Sequence, residues 1–202
     1  MLGGGGAYLL LSGGRVPGIG DIGKPDPPPL AFEFENVSVE TTTTSGTGKR
    51  GDAENRSERA AADIESVMNG LYTIAYVEDD NWGDYGEAWS LFEGPAAERA
   101  EADVEIITLG AAARDVYEKL TPESSALTIT VLTDPRDQPT SAVAEVSFVA
   151  GAELTDGSAT QITSEGAFFL RPGGDGWLIY AYRVDRDEQA AEPASPAAGA
   201  SP

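Results

Sequence analysis

The chain has 202 residues, 41% of them hydrophobic, and carries 34 acidic against 13 basic side chains for a net charge of -21 at pH 7. That length fits one ordinary domain with tails, and the negative field repels phosphate backbones and anionic headgroups, which excludes nucleic acid as a partner. Cysteine and histidine are both absent, which removes disulfides, thiolate nucleophiles, cysteine-based zinc and iron-sulfur sites and any Ser-His-Asp triad; no cofactor or metal is expected.

Residues 1–14 read MLGGGGAYLLLSGG, whose apolar run from Ala7 to Leu11 is far shorter than the ~20 residues a membrane-spanning helix needs. The segment also lacks the basic start and small-residue cleavage site of a signal peptide. The expectation is that it forms the outer end of a membrane anchor whose earlier half lies upstream. Residues 13–29, GGRVPGIGDIGKPDPPP, have the composition of an extended linker, so residues 1–30 are read as anchor end plus linker.

The folded part is placed at residues 31–187. Residues 31–44 alternate Phe32 and Phe34, then Val37 and Val39, against polar neighbours, with a change of phase at Asn36; this pattern predicts an edge strand with a break. A loop follows over 45–52, and its Arg50, Gly51 and Asp52 form an integrin-type tripeptide that is too short to carry a function by itself. Over 53–77 the residues Ala61, Ile64, Met68, Leu71, Tyr72 and Ala75 recur at three- and four-residue spacing, predicting a long amphipathic helix. Trp82, Tyr85, Trp89 and Phe92 share that spacing and predict a second helix, closed by Gly94 and Pro95. Residues 96–109 predict a third, ended by Gly110.

Beyond Gly110 the period changes to two. Leu127, Ile129 and Val131 alternate with threonines; Ala144, Val146 and Phe148 share one face of a strand over 141–150; strands over 159–170 and 177–184 follow. Asp156-Gly157 and the glycine-rich run 172–176 supply the reversals. Residues 188–202, EQAAEPASPAAGASP, have little to bury and read as a disordered Ala/Pro/Ser tail.

A long helix, two further helices and then a run of antiparallel strands form an α+β layout. Over residues 53–187 it resembles the nuclear transport factor 2-like superfamily, most of all in the terminal hairpin SEGAFFLRPGGDGWLIYAYRV at 164–184. The resemblance implies N-terminal helices packed in a curved, mostly antiparallel sheet, a cone-like domain. Within that superfamily the anchor, proline linker, polar tail and the Thr108-Leu109-Gly110 turn are similar to actinobacterial membrane-tethered extracytoplasmic proteins, including those associated with mammalian cell entry transporters.

Enzymes on this cone fold work with an Asp or Asp-His pair plus Tyr inside the cavity, and without histidine only a carboxylate version remains. Asp103, with Tyr72, Tyr117 or Tyr180 as hydrogen-bond donor, is the available set for an isomerase or cyclase. Trp82 and Trp89 complete the candidate lining of an apolar ligand cavity, although tryptophans and tyrosines also serve as amphipathic core residues. The acidic stretch Glu78, Asp79, Asp80, Asp84 and Glu87 offers oxygen ligands, but Gly83 and Ser90 occupy the wrong places for a calcium-binding loop.

The leading expectation is a non-catalytic extracytoplasmic binding or scaffolding domain of the cell envelope, whose partner is a protein or an apolar small molecule. The alternative is a small-molecule isomerase or cyclase. A third reading is a homodimer, in which Phe148, Phe168, Phe169, Tyr180 and Tyr182 on alternating sides of the strands bury both faces of the sheet.

Overall fold

The computed structural model describes residues 32–43, 50–174 and 176–190. The anchor and linker expectations for 1–30, most of the loop 45–52 and the tail beyond Ala190 therefore lie outside the described residues.

Phe32 and Phe34 are buried, and the phase change expected at Asn36 is where the strand begins. Two side chains hold this entry segment: the Phe34 N–H donates to Asn69 Oδ1 (3.1 Å) and the Glu35 N–H to Ser125 Oγ (3.0 Å). Strand β1 (Asn36–Thr43) then runs parallel to β2 (Tyr117–Thr133), with Val37 beside Leu127 and Val39 beside Ile129. Parallel neighbours require a crossover connection. Helix α1 (Arg50–Tyr72) and the short helices after it supply it; Arg50, Gly51 and Asp52 are its first three residues.

The stripe expected on α1 is buried at Ala61, Ile64, Met68, Leu71 and Tyr72. The helix continues as a wider π-turn over Thr73–Val77, closed by the Glu78 N–H on the Thr73 carbonyl (2.9 Å). The wider turn frees the Tyr76 carbonyl, which accepts from the Trp82 indole N–H (3.0 Å), and the Tyr76 ring stacks on Tyr72 with centroids 5.3 Å apart.

The second expected helix is only α2 (Gly86–Trp89), preceded by one 3₁₀ turn at Asp79–Asn81 and a bend at Gly83, whose φ is 79°. The third is broken in two: α3 (Gly94–Ala102) and α4 (Val104–Ile107), separated at Asp103. Gly110, with φ at 92°, closes the stretch as expected, and one more turn, α5 (Ala113–Val116), leads into β2.

β2, β3 (Pro139–Leu154), β4 (Ala159–Pro172) and β5 (Trp177–Ala190) pair antiparallel in chain order, so the fold is α+β with a five-stranded mixed sheet ordered β1-β2-β3-β4-β5. One face carries Leu127, Ile129, Val131, Ala144, Phe148, Phe168 and Ile179, all buried in the core shared with the helices. The other face is polar in its middle, with Glu145, Glu165, Arg183 and Asp185 exposed. β5 runs to Ala190, so Glu188, Gln189 and Ala190 belong to the sheet rather than to the tail, paired with Ile162, Gln161 and Thr160.

Gly166 sits at the middle of β4 with φ at 152°. A Cβ there would collide with the Arg183 carbonyl oxygen and stand 2.7 Å from the Val184 Cα, both rigid backbone of the neighbouring strand. Gly166→Ala is expected to cost about 2 kcal/mol, the strain of forcing a side chain into this backbone or of separating β4 from β5. Urea unfolding checks it; an unchanged midpoint would show that β4 relaxes freely at this point.

Candidate functional site

Tyr72 lies in the middle of the core, fully buried, its hydroxyl 3.0 Å from Ser164 Oγ. Burial pushes its phenol well above the usual tyrosine range. Around it the rings of Phe32, Phe34, Tyr76 and Phe148 form a continuous cluster, with Tyr72 centroid separations of 5.1 Å to Phe34 and 5.3 Å to Tyr76 and Phe148. The space between α1 and the sheet is therefore occupied by aromatic side chains.

Trp82 and Tyr117 meet edge to face at 6.2 Å and are both buried. They lie beneath a shallow depression of about 300 Å³ that Asp79, Asp80, Arg114 and Glu118 also line. Arg114 reaches the Asp80 carbonyl, and Asn81 Nδ2 donates to Glu78 Oε2 (2.7 Å), so the acidic stretch is a hydrogen-bonded connection between helical turns. Among the described residues no group of three or more carboxylates is placed to hold a metal ion.

The Tyr117 hydroxyl donates to Glu188 Oε2 (2.8 Å) and accepts from Arg186 Nη2 (2.7 Å). Arg186 also reaches Glu188 Oε2 (3.2 Å) and the Glu105 carbonyl (3.3 Å). Desolvation drives the Tyr117 phenol up to about 12 against the opposing pull of the Arg186 charge. This triangle ties β2, α4 and the end of β5 together. Tyr117, Arg186 and Glu188 each bond to the other two, so the arrangement acts as a clamp, with Arg186 Nε left buried and without a hydrogen bond among the described residues. Sequence reasoning missed it because Glu188 falls among residues with nothing apolar to bury.

Asp103 pairs with a tyrosine, but with Tyr182. The Tyr182 hydroxyl donates to Asp103 Oδ2 (2.7 Å), and the Arg99 Nε donates to the same oxygen (3.2 Å). Burial first, and then the hydrogen bond to Asp103, raise the Tyr182 phenol far above its ordinary value. The Asp103 side chain is 32% exposed at the end of α3, held at the rim of the domain rather than in its interior. Trp89 belongs to the same neighbourhood through Phe92, at 6.1 Å, which in turn meets Tyr182 at 6.0 Å.

Tyr180 is on the opposite face. It is exposed, beside Phe169, with the Arg171 guanidinium 5.4 Å from its ring and that arginine paired to Glu93. The six candidates therefore fall into four places: Tyr72 in the core, Trp82 with Tyr117 under the depression, Trp89 near Asp103 at the rim, and Tyr180 outside. The phase that separates Tyr180 from Tyr182 comes from a bulge opposite Phe169 and Leu170. Of the five residues proposed for a two-faced sheet, Phe148, Phe168 and Tyr182 are buried inward, while Phe169 and Tyr180 face out.

No protein-family model, curated protein or solved structure matches this chain. Among the described residues no helix is long and apolar enough to cross a membrane. Larger depressions lie elsewhere: about 550 Å³ at the strand ends around Glu123, Glu153, Gln161 and Gln189, about 540 Å³ between α1 and the last hairpin beside Val67 and Trp177, and about 440 Å³ on the outer sheet face around Glu145 and Arg183. None of these includes any of the six candidates.

Proposed function

We propose that this chain is a non-catalytic binding or scaffolding domain of the cell envelope, of the nuclear transport factor 2-like cone type, held outside the membrane by its N-terminal segment and engaging a protein partner through its surface. The observation that carries this reading is the filled interior: Phe32, Phe34, Tyr72, Tyr76 and Phe148 fill the space between α1 and the sheet, where an enzyme of the cone type would need a substrate cavity. The order of one long helix, short helices and four antiparallel strands supports the cone, and the composition of residues 1–29 supports the tether.

Two measurements test it. An alkaline phosphatase reporter, active only after export, fused after Pro202 and expressed from the native locus is expected to be active; an inactive reporter places the domain inside and ends the envelope reading. Titration of the purified chain with an apolar fluorescent probe is expected to leave its melting temperature unchanged, because binding in a preformed apolar cavity would stabilise the folded state by mass action. A saturable rise in melting temperature would transfer the function to a small-molecule ligand.

The Asp103–Tyr182 contact favours the isomerase or cyclase alternative. There Asp103 would be the base, taking the proton on Oδ1 while Oδ2 keeps its hydrogen bonds from Tyr182 and Arg99.

A further inference from the structure

The two edges of the sheet are treated very differently. On the β5 side, residues Leu91 to Glu93 run alongside Ile179, exchanging backbone hydrogen bonds at 2.9 Å, and the remainder of that strand carries Arg183, Asp185, Arg186, Asp187 and Glu188. Covering segments and charges are how proteins keep sheet edges from pairing with other chains. β1 has neither. Its sequence NVSVETTT holds no proline, no lysine, no bulge toward β2 and one charged residue, Glu40. Among the described residues no strand lies on its far side.

β1 also exposes apolar surface on the face that its neighbour buries. Val37 and Val39 are 37% and 48% exposed, whereas Leu127 and Ile129, their partners on β2, are buried. With Glu40 as its single charge and five β-branched residues among eight, β1 offers a second copy less local repulsion than the carboxylate-bearing outer sheet face of this chain of net charge -21.

We propose that β1 pairs antiparallel with β1 of a second copy, extending the two five-stranded sheets into one across a two-fold axis at Ser38. That axis sets Val37 opposite Val39 of the second copy and Asn36 opposite Glu40, so apolar meets apolar and an amide meets a carboxylate. A register centred on Glu40 would instead set carboxylate against carboxylate, which destabilises a strand pair. The interface differs from one made by the outer sheet face, where Glu145, Glu165 and Asp185 of two copies would oppose each other. It goes beyond the binding reading and does not depend on it.

The lack of cysteine makes the test clean. Residues directly opposite in an antiparallel pair stand about 4.5–5.5 Å apart at Cα, inside the roughly 4.4–6.8 Å that a disulfide bridges. Full-length Ser38→Cys is expected to oxidise to a covalent dimer. Thr42→Cys, on the same edge but far from itself across the axis, and Ser147→Cys, on the outer face, are expected to stay monomeric under the same oxidant. In the cysteine-free chain, sedimentation over a hundredfold concentration range is expected to show a reversible dimer that tightens with salt as the repulsion between the copies is screened. Val39→Lys is expected to weaken that dimer at least tenfold with an unchanged circular dichroism spectrum. A monomer at every concentration and salt overturns the proposal, as does crosslinking of Ser147→Cys or Thr42→Cys in preference to Ser38→Cys.

Discussion

Phe148→Ala is expected to lower the unfolding free energy by about 4 kcal/mol, the cost of removing a fully enclosed aromatic ring from a site that cannot collapse. Phe148 is 0% exposed and contacts three other rings: Phe32 at 5.6 Å, Tyr72 at 5.3 Å and Tyr76 at 5.1 Å. Those rings come from the entry segment, from α1 and from the π-turn. Truncation therefore loosens the join between the sheet and everything packed on it, and the rigid β3 backbone cannot move in to fill the void. Urea unfolding followed by tryptophan fluorescence measures the loss, with the slope against denaturant expected to stay near wild type because the surface exposed on unfolding changes little. A loss below about 1.5 kcal/mol would mean that the ring cluster repacks, and the filled interior would then be soft enough to admit a ligand.

The elements read most faithfully from sequence are those in which one face is buried along their whole length. α1 is such an element, as is the alternation of β3 from Ala142 to Ala152. The aromatic run from Trp82 to Phe92 misled for a physical reason: three- and four-residue spacing marks residues that reach the same core, and a chain bending at Gly83 reaches it as well as a helix does. A Cβ at Gly83 would stand 3.0 Å from the Ala111 carbonyl oxygen, so the glycine marks a close approach that only the fold reveals. The third helix breaks where Asp103 turns its carboxylate toward Tyr182, a contact spanning 79 residues of sequence. At the end of β5, Glu188 to Ala190 join the sheet by backbone hydrogen bonds that need no apolar side chain, which is why composition assigned them to a tail.

The candidate site was legible as an inventory and illegible as an arrangement. Asp103 and a tyrosine do form a pair, but strict alternation puts Tyr180 and Tyr182 on one face. The single-residue bulge opposite Phe169 and Leu170 sends the first outward and the second inward. Bulges leave little trace in a single sequence, since they change which residue counts as even without changing which residues are apolar.

Stability is expected to fall steeply above pH 10, and Tyr76 is the residue through which the fall is best tested. Its phenol is buried, its hydroxyl makes no hydrogen bond of ordinary geometry among the described residues, and desolvation holds it up at about 12 against the weaker opposing pull of Ser164 and the Arg186 charge. Burial likewise raises Tyr72 and Tyr85, and Tyr117 to about 12. A group whose proton is held more tightly in the folded state contributes its full share below the unfolded value near 10 and loses it as pH rises toward the folded value. Between pH 10 and 12 the unfolded chain releases that proton and the folded chain keeps it, so Tyr76 alone removes about 3 kcal/mol at roughly 1.4 kcal/mol per pH unit. Tyr76→Phe separates this from general alkaline damage. At pH 7 the variant is expected to be more stable than wild type by about 1 kcal/mol, because it deletes a buried hydroxyl that has lost water and gained no well-formed hydrogen bond in exchange. At pH 11 the gap is expected to widen, since one titrating group has gone. Urea midpoints at pH 7, 9, 10 and 11 provide the comparison. A variant that is less stable at pH 7 would show that the hydroxyl is hydrogen-bonded in solution, through a bridging water or a movement of Ser164, and that the interior around Tyr72 and Tyr76 holds a polar site after all.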